Sequence, residues 1–508
     1  MTKNSRDKSA MAKRFYITTA IDYPNGSPHM GHAYEKVITD AYARWYRFLG
    51  EDVFFLTGTD ENGQKLVKVA AENNQDTKKF IDSQVVHFEK LCKDLNISYD
   101  DFIRTTEPRH HEISKQFWRT LEKKGDIYFD RYSGYYCIAC EAFYTNTQAP
   151  ELRCPDHGTK LEFVQEDGFF FKMSRYQDWI VDHLRKSADF IVPVSAKKEV
   201  LNRLEGEPLK DLSISRPNQG WGIPTPSRSD HVMYTWFDAL INYYTAAAPE
   251  SRRPQYWPAS VHVIGKDIIW FHSVIWPIML HAAGIAVPSQ IYVHGMVLAE
   301  DGRKMSKSLG NGVDPYDILG KYPVDSFRYY LLRSISSGMD GKFSTTELLT
   351  KHNNELANDY GNLVMRVVKL AAKKLGNTIT PDGVQHELKT DDLLVKMQSA
   401  MNKREHNRAL DTLWEAINQN NAYLNESAPW KIKPEDPKLK TVLYNALHGI
   451  HSYATLISAF LPNTGEKTLE SLGSSKTGPE SLAFGSLTFN LSEPQPLFPK
   501  IELQEKTQ

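Results

Sequence analysis

The start of the chain alternates between short apolar runs and a segment with helical spacing. Residues 15–20 form an apolar run of strand length, and residues 53–56 form another, which ends in Gly58-Thr59-Asp60. Between them, apolar side chains recur at near-helical spacing, at Ala33, Val37, Ala41 and Trp45, flanked by Tyr34, Ile38 and Tyr42. This order of strand, turn, helix and strand predicts a βαβ unit, and therefore a parallel sheet with ligands at the carboxyl ends of its strands.

The strand and helix pattern returns much later in the chain. Residues 261–265 and 291–295 are strand-like, and the segment between them predicts a helix with apolar positions at Ile268, Ile269, Phe271, Ile275 and Leu280. Residues 117–228 differ in texture, with clustered cysteines, many aromatic residues and short turn-bounded segments. We therefore predict an insertion that splits one nucleotide-binding domain into two halves.

The last third of the chain is predicted to be mainly helical. Residues 348–375, 392–424 and 439–461 show helical periodicity with polar faces, which indicates a helical bundle. From Pro462 onward Gly, Ser, Thr and Pro are frequent, so a loop-like tail is expected. Its apolar stretch at 497–501 is expected to dock back as a strand or plug.

The composition excludes some classes of function but says little about the fold. The 508 residues are enough for two or three domains. Lys plus Arg number 61 and Asp plus Glu 62, so any contact with nucleic acid must use a local patch. No apolar run approaches the roughly 18 residues of a membrane helix, and the polar residues 1–13 precede no apolar signal core. We expect a disordered N-terminal tail, Met11 as an alternative start, no membrane contact and a cytoplasmic location.

The segment His29-Met30-Gly31-His32 stands where a predicted turn, residues 22–28, enters the first helix. Unpaired backbone amides and the helix dipole favour an anion at such a point, and two histidines can donate to phosphate oxygens without a fixed charge. Gly31 lacks a side chain, so a planar base could approach the backbone. The alternative is that both histidines only cap and pack the helix.

A second segment, Lys304-Met305-Ser306-Lys307-Ser308, is basic and lies between glycines. We expect Met305 and Leu309 to anchor this loop while Lys304 and Lys307 meet the charge that builds on departing pyrophosphate. The alternative is a solvated surface loop. Together and in this order, the two segments resemble the ATP-handling signatures of class I aminoacyl-tRNA synthetases.

Residues 58–65 (GTDENGQK) have the glycine spacing of a P-loop but not its chemistry. Gln64 stands where the lysine should be, and no Ser or Thr follows Lys65. We exclude a P-loop. Asp60, at a strand end, is interpreted as an anchor for a substrate ammonium group, with a helix N-cap as the alternative.

The cysteines predict one metal site rather than disulfides. Cys137, Cys140, Cys154 and His157 follow the pattern C-x2-C…C-x2-H, and three thiolates with one imidazole suit a closed tetrahedral Zn²⁺ site. One structural zinc per chain is therefore expected, and a non-metal role is the alternative. Cys92 lies on an apolar helical face and is predicted to pack in the core.

Over residues 14–501 the chain resembles the methionyl-tRNA synthetase family. The matching stretches are TAIDYPNGSPHMGHAYE, FLTGTDENGQK, YTWFDALINYY, GKDIIWFHSVIWP, HGMVL, KMSKSLGN and NESAPW. The cysteine-rich segment is similar to the subtype with one zinc knuckle. The resemblance implies an α/β fold, in which a Rossmann-type parallel-sheet catalytic domain is split by a zinc-binding connective insertion and followed by an α-helical bundle that binds the anticodon.

The resemblance also gives the predicted domain limits. They are a tail at 1–13, the catalytic domain at 14–116 and 229–302, the connective insertion at 117–228, the KMSKS loop and stem-contact region at 303–346, the anticodon-binding domain at 347–461 and a C-terminal segment at 462–508.

Roles are carried over residue by residue. Catalysis is assigned to His29, His32, Lys304 and Lys307. ATP binding is assigned to His29, Gly31, His32, Gly265, Lys266, Asp267, His294, Gly295, Met296 and Lys307. Methionine binding is assigned to Ile21, Tyr23, Asp60, Trp236, Ala239, Tyr243, Ile268 and His272, an aromatic lining that suits a thioether. Anticodon binding is assigned to Trp430, on which a cytosine can stack, and to Asn354 and Asn358, with a contribution from Arg366.

The implied reaction activates L-methionine with ATP and Mg²⁺ and transfers it to the terminal ribose of initiator and elongator methionine tRNAs. No covalent nucleophile is needed. The chain departs from the family pattern at Asp22, where a proline or leucine-proline step before Tyr23 is more familiar. It also ends soon after the helical domain, without the C-terminal dimerising domain of longer members, so a monomer is expected.

Two other functions remain open at this point. A synthetase for cysteine would want zinc in its amino-acid pocket, and those for leucine or valine are normally longer because they carry an editing domain. The other is a zinc-knuckle RNA-binding or regulatory protein without catalysis. The presence of His29, His32, Lys304 and Lys307 argues against it.

Overall fold

The computed structural model describes residues 12–137, 142–144, 149, 151–155, 158–305, 310–388, 390–474 and 477–502. The first elements in chain order are β1 (Arg14–Thr18), α1 (Met30–Phe48), β2 (Asp52–Thr59), α2 (Gln64–Glu72), α3 (Thr77–Asp94), β3 (Asp101–Arg104) and α4 (Pro108–Lys123). The next are β4 (Ile127–Cys137), β5 (Ala142–Tyr144), β6 (Glu162–Phe171), α5 (Gln177–Lys186), β7 (Ile191–Val192), α6 (Val194–Gly206), β8 (Leu212–Ser213), β9 (Ser215–Pro217) and β10 (His231–Met233).

The chain then forms α7 (Thr235–Thr245), β11 (Val261–Gly265), α8 (Trp276–Ala283), β12 (Ile291–His294) and β13 (Val297–Leu298). The remaining elements are α9 (Pro315–Leu319), α10 (Val324–Ser334), β14 (Gly341–Lys342), α11 (Thr345–Lys351), α12 (Asn362–Leu375), β15 (Thr378–Ile379), α13 (Leu393–Asn402), α14 (His406–Ser427), α15 (Pro437–Ile457), α16 (Pro462–Ser471) and β16 (Phe489–Asn490). Segments Phe271–Ile275 and His352–Gly361 are π-helical.

A parallel sheet of six strands, in the order β3-β2-β1-β11-β12-β7, forms the centre of the fold. The four strands predicted from the sequence are its four inner strands, and the predicted Rossmann-type architecture with a helical C-terminal region is confirmed. The two outer strands were not predicted because they are only four and two residues long. Strand β7 comes from the segment between the two halves, so that segment also completes the sheet.

Each face of the sheet carries its own hydrophobic core. Alternate residues of a strand point to opposite faces, so Phe15 and Ile17 of β1 join one core while Tyr16 joins the other. The first core packs α1 against the C-terminal helices, and the second packs α4, α7 and α8 against the sheet. Cys92 is buried in the first core, as predicted, and burial raises its pKa to about 12.

Helix α1 is buried on nearly all sides, so its charged residues need partners inside the protein. Asp40 accepts hydrogen bonds from Arg44 at 2.8 Å and from the fully buried Arg328 at 2.7 Å. Arg328 also donates to the carbonyl oxygens of Leu95 and Phe460. This guanidinium therefore fixes α1 to α10 and to the C-terminal helices.

The helix predicted between β11 and β12 is present but not uniform. It starts as a 3₁₀ turn at Lys266–Ile268, passes through the π-helical segment and continues as α8. Pro277 lies in the first turn of α8 and has no N–H to donate, which accounts for the widened turn before it. The apolar spacing predicts the buried face of this helix but not its local change of pitch.

The prediction of a loop-like tail from Pro462 is wrong at its start, because Pro462–Ser471 is helix α16. Proline is tolerated in the first turn of a helix, where its missing N–H has no partner to lose. Gly465 lets α16 approach α15 closely, since a Cβ there would lie 2.0 Å from Ser458 Oγ. The glycine that suggested a loop therefore serves a helix contact.

The C-terminal segment contacts the π-helical segment His352–Gly361 through side-chain hydrogen bonds. Asn353 donates to the carbonyl oxygen of Ile501 at 2.9 Å and accepts from its N–H at 3.0 Å, and His352 Nε2 lies 2.8 Å from Pro499 O. Phe498 is buried in the same place. Residues 497–501 form no strand, so of the two expected forms of docking the contact resembles a plug.

In the part of the chain that the structure describes, no helix combines the length and the apolar character that crossing a membrane would require.

Acid is expected to destabilise the fold through histidines that are buried in the neutral form. His110 and His406 are fully buried, and burial lowers the pKa of each to about 3. In the unfolded chain a histidine takes up a proton near pH 6.5, so below that value the unfolded state binds more protons. The free energy of unfolding should fall by about 1.4 kcal/mol per pH unit for each such histidine between about pH 6 and pH 4.

Urea unfolding at a series of pH values measures this slope. His406→Gln should lower this slope by the contribution of one histidine, about 1.4 kcal/mol per pH unit. Equal slopes in wild type and His406→Gln would contradict the assignment.

Candidate active site

The crevice beyond the carboxyl ends of β1 and β11 holds the candidate site. These strands pair through Ile17 with Val261 and Thr18 with His262, and the strand order reverses between them. In an open parallel sheet this is where ligands bind. The turn after β1, the start of α1, the loop after β2 and the ends of β11 and β12 all open onto it.

His29 and His32 form a reciprocal cap at the start of α1. His29 Nδ1 accepts from the N–H of Gly31 at 3.1 Å, and His32 Nδ1 accepts from the N–H of His29 at 3.1 Å. The two rings stack with centroids 3.7 Å apart. Capping, the alternative considered from the sequence, is therefore real, but it occupies only the Nδ1 atoms.

The cap also sets the chemistry of both rings. A ring nitrogen that accepts from a backbone amide carries no proton, so in each neutral ring the proton is on Nε2. Burial, with the nearby Lys36, lowers the pKa of His32 to about 3. Removal from water, followed by the effect of His32, lowers the pKa of His29 as well. At neutral pH the site therefore offers two uncharged Nε2–H donors.

Asp60 follows β2 directly and is buried. Its N–H donates to the carbonyl oxygen of Asp22 at 2.8 Å. Helix α2 begins at Gln64 with Gly63 as its N-cap, so the alternative that Asp60 caps a helix is excluded. Gly58 lies within β2, where a Cβ would meet Ile103 O at 1.9 Å, so its role is close strand packing rather than phosphate binding.

The loop after β2 is held rigidly by buried polar contacts. Asn62 donates to Asp238 Oδ2 at 2.8 Å and to Thr105 O at 3.0 Å. The buried Glu61 accepts from Arg104 Nε at 2.6 Å, and its carbonyl oxygen accepts from Trp221 Nε1 at 2.7 Å. Sequence reasoning missed these supports, because they join residues that are far apart in the chain.

The residues assigned to methionine come from the turn after β1, the loop after β2, helix α7, and the 3₁₀ and π-helical segments after β11. Tyr243 OH donates to His272 Nε2 at 2.8 Å, and His272 Nδ1 donates to Ile268 O at 3.0 Å. Burial lowers the pKa of His272 to about 4, so the ring is neutral. Trp236 stands edge-on to His272 at 6.4 Å and stacks on Phe271 at 3.7 Å.

The other pocket residues border the same space. Ile21, Trp236 and Ile268 are partly buried against the core that contains Tyr243, and Ala239 is buried on α7. Tyr23 leans on the loop after β2, where a Cβ on Gly63 would lie 2.0 Å from Tyr23 OH. Gly63 therefore packs directly against Tyr23, a contact that spacing along the chain does not indicate.

The residues assigned to ATP line the ends of β11 and β12. Gly265 pairs with His294, and a Cβ on Gly265 would lie 2.7 Å from Asp267 Oδ1. Gly295 fits closely against the backbone of Met339, and Met296 N–H donates to Asp340 Oδ1 at 2.8 Å. Lys266 forms an ion pair with Asp340, a partner that the sequence did not suggest.

Glu35 of α1 forms a hydrogen bond with His294. Its carboxylate lies 2.9 Å from His294 Nε2 and accepts from the N–H of Ala20 at 2.8 Å. His294 Nδ1 donates to Gly295 O at 2.8 Å. One carboxylate therefore joins the end of β1, α1 and the end of β12.

The basic loop is only partly described. Lys304 is exposed, forms a β-bridge with Leu298 and is close enough to contribute to lowering the pKa of His29. Met305 packs against the first core, as expected for an anchor. Lys307 and Leu309 lie outside the described residues, so their roles stay predictions.

Two of the four predicted zinc ligands are described. Cys137 ends β4 and Cys154 follows in the connecting segment, and both are buried in one small cluster with Ala149 and Leu161. Cys140 and His157 lie outside the described residues. Among the residues that are described, no group of three or more His, Cys, Asp or Glu residues is arranged to hold a metal.

The residues assigned to the anticodon are exposed side chains of the helical region. Trp430 is 44% exposed, with the Arg366 guanidinium 5.7 Å from its ring centroid. Asn354, Asn358 and Arg366 are exposed, and Asn362, which the sequence analysis missed, is the exposed residue between them at the same spacing of four. Arg366 is the member of this set that lies against the Trp430 ring.

Comparison with known proteins agrees with the geometry. Residues 15–368 match the family described as "tRNA synthetases class I (M)", and residues 376–508 match the "Anticodon binding domain of methionyl tRNA ligase". A methionine–tRNA ligase from Caldanaerobacter subterraneus subsp. tengcongensis is 40% identical over 98% of this chain and 80% of its own length. One from Rhizobium meliloti is 41% identical over 90% of this chain and 91% of its own length.

Comparison with solved structures points to the same family. The Mycobacterium tuberculosis methionyl-tRNA synthetase in complex with methionyl-adenylate matches with a TM-score of 0.92 and 37% identity, over 96% of this chain and 100% of that one. Its apo form matches with a TM-score of 0.84 and 35% identity, over 97% and 99%. On its sequence, fold and site, the chain belongs to the methionyl-tRNA synthetases, a family of class I aminoacyl-tRNA synthetases.

Proposed function

We propose that this chain activates L-methionine with ATP to methionyl-adenylate and then charges initiator and elongator methionine tRNAs at the terminal ribose, with release of pyrophosphate and AMP. The observation that carries the proposal is the meeting of two sets of residues in one crevice. The neutral His29 and His32 stand at the start of α1, and Asp60 and the His272 pocket lie beside them. One set suits a nucleotide and the other an amino acid.

In the first step the methionine carboxylate attacks the α-phosphorus of ATP. The Nε2–H groups of His29 and His32 donate to phosphate oxygens as charge develops there, and Lys304 and Lys307 neutralise the leaving pyrophosphate. Mg²⁺ accompanies ATP and shields its phosphate charge. Because positioning and electrostatics supply most of such catalysis, no residue of the chain need form a covalent bond.

In the methionine pocket, Asp60 pairs with the substrate ammonium group, and the aromatic lining around His272 contacts the thioether. The Tyr243–His272–Ile268 chain of hydrogen bonds leaves the imidazole neutral and fixed. Sulfur interacts favourably with such ring edges. A pocket of this kind prefers an unbranched thioether to a branched aliphatic side chain.

Amino-acid-dependent exchange of pyrophosphate into ATP, tested with each standard amino acid, checks the function directly. Exchange with methionine alone is expected. Strong exchange with another amino acid would overturn the pocket assignment but keep the class I mechanism. No exchange by folded protein would favour the rival function, an RNA-binding protein without catalysis.

We also propose that Cys137, Cys140, Cys154 and His157 hold one structural Zn²⁺ within the insertion. The proposal is supported by the donor chemistry and by Cys137 and Cys154 sharing one buried cluster. Purified protein should contain about one zinc per chain by elemental analysis, and Cys154→Ser should lose it. Cys92→Ala is the matched control, since Cys92 lies in a different core and its removal should leave the zinc content unchanged.

Trp430 is proposed to stack on an anticodon base. Trp430→Ala should raise the KM for tRNA in aminoacylation by about 10- to 100-fold, the equivalent of 1–3 kcal/mol for one stacked base, while leaving methionine-dependent exchange unchanged. Arg366→Ala should give a smaller effect in the same direction, because the guanidinium supports the ring. An equal loss in exchange would show that the variant acts through folding.

The cytoplasmic location remains a prediction from the composition of the chain, and the monomeric state remains a prediction from the resemblance. Gel filtration with light scattering measures the second directly.

A further inference from the structure

A buried ion pair lies directly behind the two histidines of the site. Lys36 Nζ donates to Asp22 Oδ2 at 2.5 Å, with the Lys36 side chain fully buried and that of Asp22 5% exposed. Lys36 follows His32 by one helical turn on α1, and Asp22 Oδ1 lies 3.8 Å from His32 Nε2. The carboxylate thus stands between an ammonium and the ring atom assigned to the α-phosphate.

Asp22 is also part of the backbone that joins the two halves of the site. Its N–H donates to Gly58 O at 2.8 Å, and its carbonyl oxygen accepts from the N–H of Asp60 at 2.8 Å. Asp22 therefore lies between the nucleotide side, through His32, and the amino-acid side, through Asp60. It is also the position at which the sequence departs from the family pattern.

Each charge of the Asp22–Lys36 pair compensates the other inside the protein. A buried carboxylate without a partner is costly, and close to a triphosphate it would also repel the ligand. Burial alone would lower the pKa of Lys36, but the adjacent Asp22 outweighs it and the pKa is raised, so the ammonium stays charged. Lys36 donates a second, longer hydrogen bond to Thr57 Oγ1 at 3.4 Å, which holds it in place.

We propose that the Asp22–Lys36 pair positions His32 for ATP, with the carboxylate orienting the Nε2–H edge of the ring and the ammonium cancelling the carboxylate charge that would otherwise repel the phosphates. The inference rests on the role proposed for His32. Both residues act through His32 and are positioning residues. If the pair were purely structural, removal of one charge would lower the free energy of unfolding without changing the chemistry, whereas here it leaves an uncompensated charge beside the phosphates and should lower kcat.

Several other titratable groups face the pair, and each could contribute to a pH dependence. They are His29 at the N-cap of α1, His32 and Glu35 on α1, Asp60 after β2, Cys92 on α3, Tyr99 before β3 and Tyr243 on α7. A comparison of single and double variants separates the pair from this background, because the other groups are the same in every variant.

The test compares Lys36→Met, Asp22→Asn and the double variant in methionine-dependent ATP–pyrophosphate exchange. Lys36→Met leaves the carboxylate without its cation, so kcat should fall by about tenfold or more near pH 8. The loss should be smaller near pH 6 than near pH 8, because burial raises the pKa of Asp22 and the loss of its cation raises it further, so the carboxylate takes up a proton more readily. The double variant has no charge to cancel and should recover at least about half of the lost activity on a logarithmic scale, with no extra pH dependence.

Three results would overturn the inference: wild-type kcat in Lys36→Met, an equal loss near pH 6 and pH 8, or a double variant no better than Lys36→Met. If Lys36→Met does not fold, Lys36→Arg replaces it, since it keeps the charge but displaces it. A lower kcat without a lower free energy of unfolding then supports positioning, and an unchanged kcat overturns it. Absence of exchange in the wild-type protein would instead overturn the proposed function, and the inference with it.

Discussion

His32→Ala is expected to lower the rate of methionyl-adenylate formation by about 10²- to 10³-fold, the usual loss when one fixed donor to a developing charge is removed. The Nδ1 atom of His32 is occupied by the His29 amide, so Nε2–H is the group that remains for the phosphate. Single-turnover measurement of adenylate formation checks the rate, and equilibrium binding of methionine checks the rest of the site. Methionine binding should change little, because the methionine pocket is built from other elements.

His32→Gln is the matched control for the donor. Its amide can cap His29 or donate to the phosphate but cannot do both, so an intermediate rate is expected. Because the pKa of His32 is lowered to about 3, the contribution of this residue should not vary between about pH 6 and pH 8. A wild-type rate in His32→Ala, or an equal loss of methionine binding, would remove His32 from the proposed step.

The sequence predicted those parts of the fold that have a local signal. Helix α1 carries apolar residues at helical spacing over nineteen residues, and its start has two histidines that can cap it. The inner strands are apolar runs next to turns. The sheet edges β3 and β7 are too short for any period, and α16 was hidden because Pro462 and Gly465 suit a helix start and a helix contact as well as a loop.

The candidate site was predictable by residue type but not by partner. His29, His32 and Asp60 stand in motifs whose chemistry can be read along the chain. The hydrogen bonds that hold these residues cannot be read along the chain, because Asn62 contacts Asp238 and Glu35 contacts His294 only after the sheet has formed. Asp22 departs from the family pattern, and its partner Lys36, fourteen residues away in the chain, lies beside it only in the folded protein. The partners of buried charged residues therefore have to be read from the structure, because they come from distant parts of the chain.

Asp60→Ala is expected to lower kcat/KM for methionine by about 10²- to 10³-fold, since it removes one partner of a charge pair that is out of water once substrate binds. Asp60 is buried in a loop that Asn62, Glu61 and Trp221 hold in place, so the loop should keep its shape when the side chain is shortened. The KM for ATP should stay within about threefold of wild type. Pyrophosphate exchange at varied methionine and varied ATP gives both constants.

A change in the ligand separates the charge pair from a general loss of the pocket. 4-(Methylthio)butanoic acid is methionine without its amino group, so it keeps the thioether and the carboxylate but offers Asp60 no partner. Wild-type protein should bind it far more weakly than methionine, whereas Asp60→Ala should bind the two with affinities within about threefold of each other. If Asp60→Ala still prefers methionine by the wild-type factor, the ammonium group is held by another residue. Asp60→Asn then distinguishes charge from hydrogen bonding, because it keeps an acceptor oxygen at the same place and should recover only part of the preference.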